Sequence, residues 1–271
     1  MIPVLIAALF VIYLFLIFPS LRRHPARQLM KGAFIAHRGI HADNKGLPEN
    51  TMPAFIAAAK LGFAIELDER LTKDGKVVVF HDDTLKRLCG ADGRVEDKTL
   101  AQLSEYTVLS TDQHIPTLEQ VVRAVDVPLL IEIKPTHKNN KALCKAVDDI
   151  LREHNGRFII QSFYPLAITW FRFHHRSLCR GILATNYAKK KGSPLHHILA
   201  GWLLFNFAAR PDFISYEARQ ASSFPRSLCS ALGALPVGWT FCSPAELELH
   251  GGMFETYIFE GFLPDKPYIS E

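Results

Sequence analysis

The chain has 271 residues and a formal net charge of +4, and that positive excess sits at one end. Residues 1–31 hold four of the 31 Lys and Arg and none of the 27 Asp and Glu, so the rest of the chain carries 27 of each sign. A neutral body argues against nucleic acid as a partner, and five cysteines without CxxC spacing argue against a disulfide framework or a zinc site and for a reducing compartment.

The first element is "MIPVLIAALFVIYLFLIFPS". Residues 2–18 carry no charge and a single proline, Pro3, and at about 1.5 Å per residue they reach ~26 Å, close to the thickness of a bilayer core. A buried globular helix would show polar positions on one face, and none is present. A cleavable signal peptide would have basic residues before the apolar run, whereas Arg22, Arg23, Arg27 and Lys31 follow it. The reading is an uncleaved single-pass transmembrane anchor over 1–20, a basic juxtamembrane linker over 21–31, and a catalytic domain over 32–271. The positive-inside rule puts that domain in the cytoplasm, at the cell membrane.

Beyond residue 32, runs rich in β-branched and aromatic residues alternate with helical patterns, which predicts a parallel sheet with helical crossovers. The expected strands are 33–37, 63–69, 76–80, 128–133, 157–162, 179–184, 212–216, 235–241 and 257–260. The size suits a (β/α)8 TIM barrel. Nine candidates compete for eight staves, and only "LTKDGK" separates the second from the third. That gap is too short for a helix and another parallel pairing, unless the chain returns extended along the outside. Residues 194–208 form an apolar helix behind Lys189, Lys190 and Lys191. It reads either as an outer barrel helix or as a membrane-contacting one.

The strand ends carry the chemistry. The first run ends in His37-Arg38-Gly39, and the second contains Glu66 and Asp68, two apart and on one side. The third ends at His81, and the fourth carries Glu132 and Lys134, again two apart. In a parallel barrel these C-terminal strand ends are where active sites assemble. Three inward carboxylates repel one another unless a cation neutralises them. An all-oxygen set suits one divalent ion, Mg2+ or Ca2+, better than zinc. The plainer alternative is a structural ion-pair network with Lys134 and Arg38.

Seven segments, "AHRG" (36–39), "PENT" (48–51), "ELD" (66–68), "DGKVVVFHDDTLKR" (74–87), "IPTLEQVV" (115–122), "EIKP" (132–135) and "QSF" (161–163), occur in the order found in the glycerophosphodiester phosphodiesterases, which the chain resembles. The resemblance implies a barrel of the phospholipase C-like phosphodiesterase type and cleavage of glycerophosphodiesters to glycerol phosphate and an alcohol. It implies metal ligands at Glu66, Asp68 and Glu132, acid–base histidines at His37 and His81, phosphate-binding cations at Arg38 and Lys134, and a supporting acid at Glu49. Trp239, in "GWTFC", falls on the substrate side of the mouth, where Phe241-Cys242 and "YIFEGFLPDKP" (257–267) depart from the family pattern. Two other readings use the same barrel: a lysophospholipase D acting on membrane lysophospholipids, and a catalytically silent module that binds headgroups.

Overall fold

A computed structural model of the chain describes residues 2–42, 46–186, 192 and 194–265. The β-branched and aromatic runs form β1 (Phe34–Ala36), β2 (Ala64–Leu71), β3 (Val77–Val79), β4 (Leu129–Ile133), β5 (Phe158–Ser162), β6 (Cys179–Ala184), β7 (Phe213–Glu217), β8 (Leu235–Phe241) and β9 (Thr256–Phe259). All except β3 are parallel, in the order β1-β9-β8-β7-β6-β5-β4-β2, and a further β1–β2 pairing closes the ring into an eight-stranded barrel. The helices that accompany them are α1 (Ile2–Ile17), α2 (Ala26–Met30), α3 (Met52–Lys60), α4 (Lys86–Cys89), α5 (Leu100–Leu103), α6 (Leu118–Ala124), α7 (Asn140–Glu153), α8 (Pro165–His174), α9 (Leu195–Gly201), α10 (Asn206–Ala209), α11 (Phe224–Ala231) and α12 (Pro244–His250).

The ninth strand is the extra one. β3 runs antiparallel to β2, with Arg70 opposite Val78 and Leu71 opposite Val77. Gly75, at φ +76°, turns the chain between them, and Thr72 N–H donates to the Lys76 carbonyl at 2.9 Å. A hairpin this short leaves no room for a crossover, so β3 stays outside the closed ring.

Alternation along each strand sorts side chains to the two faces of the wall. Ile35, Ala64, Leu130, Ile159, Phe213, Leu235 and Ile258 fill the lower interior, with Met30 of α2 packed into the same cluster. The interior positions two residues further along β1, β2, β4 and β9 are His37, Glu66, Glu132 and Glu260. The lower interior is therefore apolar and the upper interior polar.

The expectation of a spanning anchor is not met. Helix α1 has 16 residues, about 24 Å at 1.5 Å each, against a hydrocarbon core of about 30 Å. Among the described residues no helix is long and apolar enough to cross a membrane. The last turn of the apolar run belongs to the barrel. Ile17 is buried, Tyr13 stacks on Phe224, and Asn206 Nδ2 donates to the Ile17 carbonyl at 3.0 Å. The placement at a cell membrane with a cytoplasmic catalytic domain, which rested on that anchor, falls with it.

The single helix expected over 194–208 is two short ones, α9 and α10, separated where Leu203 takes a left-handed conformation with φ +59°. Leu203 and Asn206 are buried while Trp202 stays partly exposed, so the segment packs on one side. Lys189, Lys190 and Lys191 lie outside the described residues.

Candidate active site

The acidic cluster follows from register. β2 and β4 pair in parallel with Asp68 opposite Glu132 and Glu66 two residues before Asp68. Parallel partners point to the same face, so one ligand oxygen from each of Glu66, Asp68 and Glu132 falls within 4.8 Å of the others. All three are buried. Lys134, two residues beyond Glu132, sets its Nζ 2.7 Å from Glu132 Oε1 and 3.3 Å from Asp68 Oδ1.

The His-Arg-Gly end of β1 meets this cluster through its backbone as well as its side chains. Arg38 takes a left-handed conformation (φ +56°), a position that costs energy and recurs at functional sites. Its N–H donates to Glu66 Oε2 at 3.2 Å, its Nε lies 3.3 Å from Asp68 Oδ2, and its Nη1 donates to Glu49 Oε1 at 2.7 Å. Gly39 follows at φ +81°, where a Cβ would lie 2.7 Å from the Ala54 carbonyl carbon. That close approach to the first turn of α3 is why glycine stands there.

The Pro-Glu-Asn-Thr segment braces the same corner. Thr51 stands at the N-cap position of α3 without a side-chain capping bond, and its Oγ1 instead donates to the Pro48 carbonyl at 2.7 Å. Asn50 Nδ2 donates to Asp68 Oδ2 at 2.8 Å. Glu49 accepts from Arg38 and also from Arg87, whose Nη1 and Nη2 each lie 2.8 Å away. Glu49 therefore meets two guanidiniums.

Each histidine rests on a carboxylate. His37 Nδ1 is 2.5 Å from Glu260 Oε2, and His81 Nδ1 is 2.6 Å from Asp82 Oδ1. His37 Nε2 faces the cluster, 3.9 Å from Glu66 Oε2. Burial lowers His37 below the usual imidazole range, and burial likewise brings His81 down to about 4. The His37 hydrogen bond holds Glu260 at about 2 against the effect of burial. The two tendencies agree if His37 is neutral and donates Nδ1–H to an ionised Glu260. Its Nε2 lone pair is then left facing the cluster.

The charges of the acids are unevenly compensated. Burial, then Asp68 and Glu132, push Glu66 well above the carboxylate range. For Asp68, burial is outweighed by Lys134 and Arg38, which hold it far below. Burial raises Glu132 in spite of Lys134. Asp68 Oδ1 is buried without a hydrogen-bond partner among the described residues. Clustered carboxylate oxygens, one of them without a hydrogen bond and facing the Lys134 ammonium at 3.3 Å, are a donor set that fits a hard divalent cation.

Trp239 packs on the apolar cluster that fills the lower interior. It lies toward the C-terminal end of β8, its Nε1 donates to the Ser215 carbonyl at 3.1 Å, and its ring meets Phe163 edge-on with centroids 5.4 Å apart. The structure thus gathers His37, Arg38, Glu49, Glu66, Asp68, His81, Glu132 and Lys134 at one end of the barrel, with Trp239 on the wall. Sequence reasoning missed Asn50, Arg87 and Glu260 as site residues. The first two lie inside "PENT" and "DDTLKR", and Glu260 follows Ile258 by the two-residue step that points it inward.

Residues 37–207, more than half of the chain, match the Glycerophosphoryl diester phosphodiesterase family. A glycerophosphodiester phosphodiesterase of Caldanaerobacter subterraneus is 38% identical over 146 residues, 49% of this chain and 59% of that protein. The human lysophospholipase D GDPD1 is 34% identical over 157 residues, 53% of this chain and 48% of its own length. The chain therefore spans about half of the curated relatives it matches. In fold it is similar to an Oleispira antarctica phosphodiesterase solved with the product sn-glycerol-3-phosphate. The TM-score is 0.68 at 21% identity, over 86% of this chain and 94% of that one.

Proposed function

Because the chain belongs to the glycerophosphoryl diester phosphodiesterase family, we propose that it hydrolyses glycerophosphodiesters to glycerol phosphate and an alcohol. The observation that carries the reading is the convergence of three carboxylates within 4.8 Å, two cations and two carboxylate-backed histidines at one barrel mouth. Headgroup binding alone needs no acid–base pair, which disfavours a silent module.

Glu66, Asp68 and Glu132 would hold one divalent ion, Mg2+ or Ca2+. When bound, the ion neutralises charge on the phosphate oxygens and lowers the pKa of an oxygen nucleophile. Arg38 and Lys134 complement the remaining negative charge on the phosphodiester. One imidazole takes the proton of the attacking hydroxyl, and the other protonates the leaving oxygen.

His37 suits the base role. Its partner Glu260 meets no guanidinium among the described residues, whereas Asp82 is already held by Arg87 at 2.7 Å. Glu260 also meets Cys242 Sγ at 3.6 Å and His41 Nε2 at 4.0 Å, but with no guanidinium bonded to it more of its charge is left to stabilise the imidazolium that forms. Glu49, tied to Arg38 and Arg87, orients the phosphate-facing guanidinium rather than reacting.

A second reading, hydrolysis of lysophospholipids in the manner named for the human relative, is supported by the aromatic wall of Phe163 and Trp239, which suits an apolar chain. The test is release of the alcohol from a panel of glycerophosphodiesters and lysolipids, leaving glycerol phosphate or acyl-glycerol phosphate respectively, with chelator and after Mg2+, Ca2+ or Mn2+ is restored. Melting temperature is followed in parallel, because a bound ion stabilises the fold independently of turnover. Chelator-sensitive release from water-soluble diesters is expected. Turnover of lysolipids alone would favour the second reading. Absence of release from either class, together with no metal-dependent melting shift, would sink both.

A further inference from the structure

A second cation-lined cavity lies far from the catalytic mouth. It has a volume of about 510 Å³ and is lined by Phe15, Phe18 and Leu21 together with Arg172, Arg180 and Arg210, the Arg210 guanidinium lying over the Phe15 ring at 5.0 Å. Arg180 is the second residue of β6, so the cavity opens at the N-terminal end of the barrel and outside its wall.

The three guanidiniums are anchored on backbone and not on acids. Arg172 Nη1 donates to the Phe207 and Ala208 carbonyls at 3.1 and 2.7 Å, and Arg210 Nη1 to those of Phe15 and Phe18 at 3.1 and 2.7 Å. Arg180 Nε and Nη2 make long contacts of 3.4 Å to the Ala209 and Arg210 carbonyls. Arg180 is 4% exposed, and its Nη1 has no partner among the described residues. The nearby carboxylate, Asp212, is taken by Arg22, which forks onto both its oxygens at 2.9 and 2.7 Å. Among the described residues none of the three lining arginines forms an ion pair.

Three guanidiniums lining one cavity with no carboxylate paired to any of them repel each other and leave strong donors unused. Burial brings Arg180 down to about 10 although Asp212 acts to raise it, with Arg22 and Arg172 adding to the lowering. Phosphate presents three oxygens to planar forks, a better match for several arginines than a single carboxylate. Much of the remaining lining is apolar, and Phe15 and Leu21 are exposed.

We propose that this cavity binds a phosphate monoester bearing an alkyl chain, with the phosphate on Arg172, Arg180 and Arg210 and the chain against Phe15, Phe18 and Leu21. The site is distinct from the catalytic mouth and requires the end of α1 to be docked as it is.

Calorimetric titration of the full chain with monomeric dodecyl phosphate and, separately, with inorganic phosphate tests this. Dodecyl phosphate should bind at least roughly tenfold more tightly than inorganic phosphate, and Arg172→Gln and Arg180→Gln should each weaken it roughly tenfold or more. Thermal unfolding establishes that the variants are folded. Should the buried Arg180→Gln fail to fold, the partly exposed Arg172→Gln carries the comparison. Unchanged dodecyl phosphate affinity in a folded variant would overturn the site. Equal affinity for the two probes would overturn the alkyl assignment.

Discussion

Glu260 and Asp82 occupy equivalent places behind the two histidines, yet only Asp82 is shared with an arginine. Glu260→Gln keeps a hydrogen-bonding group at His37 while removing the charge. Turnover should fall roughly 10- to 100-fold with little change in KM, since a positioning partner acts through the residue it holds. The same variant has a stability signature. The His37 hydrogen bond keeps Glu260 at about 2, below its unfolded value. Such a group stabilises the fold above the ordinary glutamate pKa of about 4.3, and the contribution is lost as pH falls through the lower folded value. Acid-unfolding curves of wild type should therefore slope more steeply between those limits than those of Glu260→Gln. Equal kinetics and parallel acid curves would remove Glu260 from the site. At this scale the sequence was partly legible. Strand-end position and two-residue spacing exposed Glu66, Asp68, Glu132 and Lys134. Glu260 sits in a segment that departs from the family pattern, so only the alternation from Ile258 pointed to it.

The elements around the mouth depend on backbone conformations that side-chain patterns do not display. Gly39 and Gly75 are both left-handed turn residues in motifs beside strands, yet their surroundings differ. A Cβ at Gly39 would sit 2.7 and 2.8 Å from the carbonyl carbon and oxygen of Ala54, whereas nothing lies within 4 Å of one at Gly75. Gly75→Ala should cost about 1–2 kcal/mol, the left-handed penalty alone. Gly39→Ala adds a backbone clash, for about 2–5 kcal/mol in all, and pushes α3 away from Asn50 and Glu49. Denaturant midpoints and turnover of both variants check this. Equal destabilisation, with activity kept in each, would show that the Ala54 contact is unimportant. Strand existence was legible because β-branched runs are short and regular, and the short "LTKDGK" link excluded a helical crossover between the second and third runs without saying which of the nine was extra. The break between α9 and α10 was not, because the left-handed turn at Leu203 leaves the apolar pattern of 194–208 uninterrupted.

For the whole molecule, the apolar N-terminal run shows where periodicity stops informing. Composition distinguishes an apolar helix from a polar one, but it does not say how many of its residues a neighbouring barrel has claimed. Here the far end of α1 is exposed, with Ile2, Val4, Leu5 and Ile6 open to the surroundings, while the near end is built in. Ile17 is fully buried, Tyr13 packs on Trp202 and Phe224, and the Arg210 and Asn206 side chains donate to backbone carbonyls of residues 15–18. Truncation should therefore be graded. Removing residues 1–12 takes away exposed helix and should leave the melting temperature of the barrel nearly unchanged. Removing residues 1–20 empties the Ile17 pocket and strands the donors of Asn206 and Arg210. That should cost about 2–5 kcal/mol, the usual loss for a large buried aliphatic side chain with accompanying hydrogen bonds. Chemical denaturation of the two truncations beside the full chain measures the difference. If the longer truncation is as stable as the full chain, α1 is an appendage and not a part of the fold. The cavity formed by its last turn with Arg172, Arg180 and Arg210 would then lose its apolar lining without consequence for the barrel.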